Sequence, residues 1–168
     1  MPFQDIVFLT EDASHDAAID LINEEAFGPG RFVRAAERVR EQGLHDHRLS
    51  FVASDRGEII ASVRMTPIWA GMVDGHLLGP LAVRPSHKNL GIGRELVRIV
   101  LAAAERSGSS AVLLVGDPPY YAPLGFKPTR PGALSMPGPF DTRRLLSACY
   151  GGIESTALEG EIRHRDRK

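Results

Sequence analysis

Apolar residues along this chain come in two patterns, short unbroken runs and stripes at helical spacing. Ile6-Val7-Phe8-Leu9 is a run suited to a first strand. Ser14 is a candidate cap for a helix reaching about Phe27, with Ala17, Ala18, Leu21, Ile22 and Ala26 as its apolar stripe. Gly28-Pro29-Gly30 breaks it, and Phe32, Ala35, Ala36 and Val39 predict a second helix ending near Gly43. Residues 49–54 and 59–69 read as strands joined by the turn Asp55-Arg56-Gly57-Glu58. A further turn, 71–75, leads into a strand over 76–83. Pro80 lies inside that strand and has no amide hydrogen for a ladder, so Gly79-Pro80 predicts a bulge.

Periodicity then predicts a long amphipathic helix over 91–107, with Ile92, Leu96, Ile99, Val100 and Ala103 on one face and Gly108 as its stop. The run 111–115 reads as a buried strand. A short helix is expected at 120–124. Pro128, Pro131, Pro137 and Pro139 make the next segment a loop, and 134–136 and 145–150 are expected as the last two strands. Residues 163–168 read as a solvated, disordered tail.

Length and charge narrow the classes. With 168 residues the chain suits a single domain, 1–168, whose core needs neither disulfides nor metal. A net charge of −1 gives no electrostatic case for nucleic acid or an anionic membrane, so any phosphate recognition must be local. The single cysteine, Cys149, fits a reducing compartment. No secretory pattern opens the chain, and no apolar run approaches the ~18 residues of a spanning helix. The expectation is a cytoplasmic protein.

The chemistry concentrates between Leu77 and Lys127. Leu81-Ala82-Val83 ends a strand, Lys88-Asn89-Leu90 is a short loop, and Gly91-Ile92-Gly93-Arg94 opens the long helix. First-turn amides have no intrahelical partner and collect the positive end of the helix dipole, so a glycine-bearing turn with a lysine before it offers an anion site. Taken alone, a Gly-x-Gly turn is equally well a tight entry into a helix. A dinucleotide fold is a rival reading, since Asp117 follows a strand about 20 residues on. It is opposed by Leu96 at the third glycine position and by the loop after Val83. There is no P-loop pattern.

The segments Val83-Arg84-Pro85, Lys88-Asn89-Leu90-Gly91-Ile92-Gly93 and Tyr121-Ala122-Pro123-Leu124-Gly125-Phe126 resemble the GNAT superfamily of acyl-CoA-dependent N-acyltransferases. With Gly116-Asp117-Pro118-Pro119-Tyr120 ahead and Lys127-Pro128 behind, they are similar to its YhbS-like branch. Lys88 departs from the usual Gln or Arg and loses the planar fork. The resemblance implies an α/β (α+β) domain with a mixed, mostly antiparallel sheet flanked by helices. It also implies a V-shaped cleft between two splayed parallel strands, 76–83 and 111–115. Acetyl-CoA would be the cosubstrate, with no metal, and a primary amine on a small molecule or protein the acceptor. Leu81, Ala82 and Val83 would serve the thioester and pantetheine, and Lys88, Asn89, Leu90, Gly91, Ile92, Gly93 and Arg94 the pyrophosphate. Tyr121 would be the general acid, with neighbouring Tyr120 as the alternative, or a packing residue.

No general base is assigned. The family's usual strand glutamate corresponds to Leu77; His76, Glu24 and Glu25 are weaker candidates. A catalytically silent acyl-CoA-binding module is the alternative function. His45-x-His47 lacks a third ligand nearby in sequence and reads as a surface loop. Cys149 reads as a buried thiol rather than an acyl carrier. Arg31, Arg34 and Arg38 repeat at helical spacing and read as a solvated helix face, with contact to an acidic acceptor as the alternative, and Trp69 reads as core. Homodimerisation through the C-terminal strands stays open.

Overall fold

The computed structural model describes residues 5–30 and 34–167. Strands β1 (Ile6–Thr10), β2 (Phe51–Asp55), β3 (Glu58–Ala70) and β4 (Val73–Val83) form an antiparallel meander. Helices α1 (Asp16–Phe27) and α2 (Ala35–Arg40) lie between the first two strands in sequence. Helix α3 (Ile92–Arg106) then crosses over to β5 (Ala111–Val115), which pairs parallel with β4. A one-turn helix α4 (Pro118–Tyr121) precedes β6 (Lys127–Pro128), β7 (Leu134–Ser135), β8 (Leu145–Cys149) and β9 (Gly160–His164). The main path runs β1-β2-β3-β4-β5-β8-β6, while β9 pairs with the far end of β3 and with β7. The mixed, mostly antiparallel sheet is the architecture expected.

Burial explains the strand readings. In β5, Val112 and Leu114 enter one core with Leu96, Val97 and Val100 of α3. Ala111 and Leu113 enter the opposite core with Ala35, Ala36 and Val39 of α2. A strand covered on both faces must be apolar throughout, as this one is. Two helices differ from the sequence reading. In α1 the buried positions are Ile19, Ile22 and Asn23, whereas Leu21 is 59% exposed and Ala17 and Ala26 face solvent. Leu21 and Ile22 are a hundred degrees apart on a helix, and the spacing Ile19-Ile22-Asn23 decides which is inside. Helix α2 stops at Arg40; Phe32 and Arg31 lie outside the described residues.

The largest correction is at the C-terminus. The tail expected from Arg163 instead continues β9, with Ile162 and His164 fully buried. Ile162, Arg163 and His164 pair with Ala70, Trp69 and Ile68. His164 Nε2 lies 2.7 Å from the Leu44 carbonyl, and Arg165 donates to the Gly75 carbonyl at 2.7 Å. One isoleucine among charged residues carries no visible period, and the strand is held by polar contacts. Both C-terminal strands are paired within the chain on two edges, β8 by β5 and β6 and β9 by β3 and β7. Among the described residues no helix is long and apolar enough to cross a membrane.

Candidate active site

The register of β3 on β4 shifts between the pairs Met65↔Leu78 and Val63↔Leu81. Gly79 and Pro80 thus oppose Arg64 alone, which is the expected bulge. Beside this irregularity β4 and β5 part company. Their parallel pairing covers only His76↔Val112 and Leu77↔Leu113. Beyond it the Arg84 amide donates to the Ile60 carbonyl of β3. Because backbone groups alternate edges along a strand, Ala82 also turns its amide to β3, while Leu81 and Val83 turn theirs to the edge that β5 has left. Of the three residues expected to meet the thioester arm, Leu81 and Val83 have backbone groups free to do so. Ala82 lines the opening, but its amide belongs to the ladder.

That opening is a cleft of about 1070 Å³. Lys88, Asn89, Gly91, Ile92, Gly93 and Arg94 line it together with Leu81, Ala82, Val83 and Tyr121. Leu90 is 44% exposed and is the one predicted site residue absent from the lining. The chain reaches α3 through left-handed Asn89 (φ 64°) and Gly91 (φ 88°), a region where Asn and Gly are the residues of least strain. Gly93 follows on the first turn, where a Cβ would sit 2.9 Å from the Tyr120 hydroxyl. The Tyr120 hydroxyl therefore lies close against Gly93, with the Arg94 guanidinium 5.4 Å from the Tyr120 ring centre.

Tyr121 turns the other way. Its ring packs edge-on to Phe126 at 5.6 Å and against Gly116, where any side chain would collide. Burial, with Tyr120 and Asp117 adding to it and Arg144 opposing, pushes its phenol up to about 12. Burial raises the Tyr120 phenol as well, against the pull of Arg94 and Arg98. The sequence missed several residues of this cleft, among them Glu37 and Arg40 from α2 and Arg144 before β8, while Arg34, expected on a solvated face, lines it from the N-cap of α2. They arrive from distant segments and carry no local signal. In total the lining holds five Arg and Lys side chains against three carboxylates, suited to a polyanionic ligand.

The remaining candidates fall elsewhere. His76 is buried on β4 with Nδ1 2.9 Å from Ser109 Oγ, and it lines neither this cleft nor a second cavity that adjoins it at Glu37, Arg40, Gly79 and Pro80. Glu25 pairs with Arg84 at 3.6 Å. Cys149 sits on β8 beside Ser147 and Ser155, outside the cleft. His45 and His47 do meet a third group, the Glu11 carboxylate from the end of β1. Glu11 is already held by Arg64 Nε at 2.8 Å and His45 Nε2 at 3.0 Å. Burial raises its pKa, but those two partners outweigh it and the net shift is downward. Glu11 is therefore already engaged by Arg64 and His45, while His47 is exposed and stacks on the His45 ring at 4.5 Å.

A mixed sheet opened between two parallel strands, with a helix start at its mouth, defines an acyltransferase-type fold. The model of the Acetyltransferase (GNAT) family matches residues 11–126, and the chain belongs to that family. Among its relatives is the N-acetyltransferase YjhQ of Escherichia coli (strain K12), 27% identical over 99% of this chain and 96% of that protein. Solved structures share the fold, two of them with bound coenzyme. The Escherichia coli YhbS structure in complex with CoA has a TM-score of 0.77 at 22% identity, over 97% of this chain and 91% of that one. A GNAT family acetyltransferase from Brucella melitensis in complex with acetyl-CoA has a TM-score of 0.70 at 22% identity, over 96% and 97%.

Proposed function

We propose that the protein transfers the acetyl group of acetyl-CoA directly to a primary amine. The observation that carries this is the parting of β5 from β4, which leaves the Leu81 and Val83 backbone edge facing a basic cleft that ends on the first turn of α3. The pantetheine arm would complete that edge as a strand would, and the thioester carbonyl would meet an amide near Leu81. The diphosphate would lie on the turn from Lys88 to Arg94. The chain's lone cysteine accords with a reducing, cytoplasmic setting.

In the reaction a neutral amine attacks the thioester carbon. One C–N bond forms, one C–S bond breaks, and one proton passes in net from nitrogen to sulfur. Glu37, among the described residues, is the one carboxylate lining both the cleft and the cavity beside it, so it stands where the amine's proton is shed. Tyr121 donates to the sulfur as charge develops there. At about 12 its hydroxyl keeps its proton at any physiological pH, and no group among the described residues hydrogen-bonds it. A thiol ionises near ~8.5, so full proton loss from Tyr121 is uphill and its part is donation in the transition state.

Replacing Tyr121 with Phe tests the assignment. Free-thiol release should fall about 100-fold while acetyl-CoA affinity stays within about twofold. Unchanged turnover would remove the role, and a matching loss in Tyr120→Phe alone would move it one residue. Acetyl-CoA binding without thiol release across a broad amine panel would favour a silent acyl-CoA-binding module.

A further inference from the structure

Behind Gly79 and Pro80 lies a second cavity of about 500 Å³, which shares Glu37, Arg40, Gly79 and Pro80 with the acyl-CoA cleft. Its character is the reverse of its neighbour's. Four carboxylates line it against two arginines, and both arginines are already neutralised. Arg40 pairs with Glu37 at 3.0 Å, and Arg64 with Glu11 at 2.7 Å and Asp16 at 3.3 Å. His45, also on the wall, is bonded to Glu11. Asp20, Glu24 and Glu41 make no ion pair among the described residues. An independent observation points to a ligand here. Asn23 is 6% exposed, lines the same cavity, and its Oδ1 is buried with no hydrogen-bond partner. A buried acceptor left unpaired is costly and calls for a donor.

Resting on the acetyltransferase reading, we propose that this cavity takes the acceptor, and that the acceptor is a small aliphatic polyamine. It would carry at least one positive charge besides the nitrogen that is acetylated. The reacting nitrogen lies at the seam beside Glu37 and Gly79, where the two cavities join. Pro80 and Leu44 offer apolar wall to the methylenes, and Asn23 accepts from a ligand N–H. The distal ammonium lies among Asp20, Glu24 and Glu41, which attract it without competition from a paired arginine. The volume suits a small molecule.

Calorimetric titration of cadaverine and of n-pentylamine into the CoA-saturated protein isolates the second charge on one carbon chain. Cadaverine should bind at least about tenfold more tightly, and the advantage should shrink with rising salt. In Asp20→Asn/Glu24→Gln/Glu41→Gln, all exposed positions, the advantage should collapse to within about twofold. Asn23→Ala should weaken both amines. Equal affinities, or an advantage that survives the triple substitution, would overturn the proposal. A basic tripeptide binding more tightly than cadaverine would overturn the small-molecule assignment. Thiol release from acetyl-CoA, followed separately, reports on acetyl transfer itself, so cadaverine binding without turnover would fault that reading and leave the cation site standing.

Discussion

The imidazole of His76 is 5% exposed, and burial, with Arg165 adding to it, holds its pKa at about 4. In the unfolded chain it titrates near ~6.5. Above that pH both states are neutral and the group leaves stability unaffected. As pH falls below 6.5 the unfolded chain takes up a proton that the folded chain refuses, so stability drops, by about 3 kcal/mol once pH 4 is reached. Glu11, whose pKa is lowered, contributes above its unfolded value of 4.5 and is lost beneath it, a more acidic window. Urea unfolding at a series of pH values should show the decline between 6.5 and 4.5, flattened in His76→Gln. An equal slope in the variant would assign the effect elsewhere. Single residues were unevenly legible. Lys88, Gly91, Gly93 and Tyr121 stand in local motifs, and strand alternation separates Leu81 and Val83 from Ala82. Glu37, Arg40 and Asn23 reach the site only because α1 and α2 pack over the sheet, which no spacing in the chain announces.

Strands β3, β4 and β5 were readable to within a few residues as apolar runs bounded by turns, and helix α3 from its helical stripe. β9 was not, because its inward positions are one isoleucine and one histidine. β6 and β7, two residues each, are too short for any period to show. Among the readable elements, the contact of β4 with β5 depends on Gly75, where a Cβ would fall on the Ala111 carbonyl oxygen. Backbone cannot yield as a side chain can. Gly75→Ala should therefore push the strands apart just before their two paired residues and cost roughly 1–3 kcal/mol, read as a lower urea midpoint. A variant as stable as the parent would show that this junction is slack.

For the whole protein, binding only to the native state raises the melting point. At a hundred times Kd the gain is about 2.7 kcal/mol, or roughly 5–10 °C for a domain of this size. Acetyl-CoA and CoA should both produce that rise, and NAD none, since the sheet is mostly antiparallel and lacks the dinucleotide arrangement. Gly93→Val should abolish the rise, because its branched side chain occupies the space between the helix start and Tyr120. A full shift in this variant would place the diphosphate somewhere other than the turn. The bulge at Gly79-Pro80 forms the floor shared by two hollows of opposite sign. If the acceptor enters by the second cavity as proposed, donor and acceptor have separate doorways, and neither must vacate for the other to load. Chemistry would then proceed while both guests are aboard, with no acetylated protein as a way-station between two half-reactions.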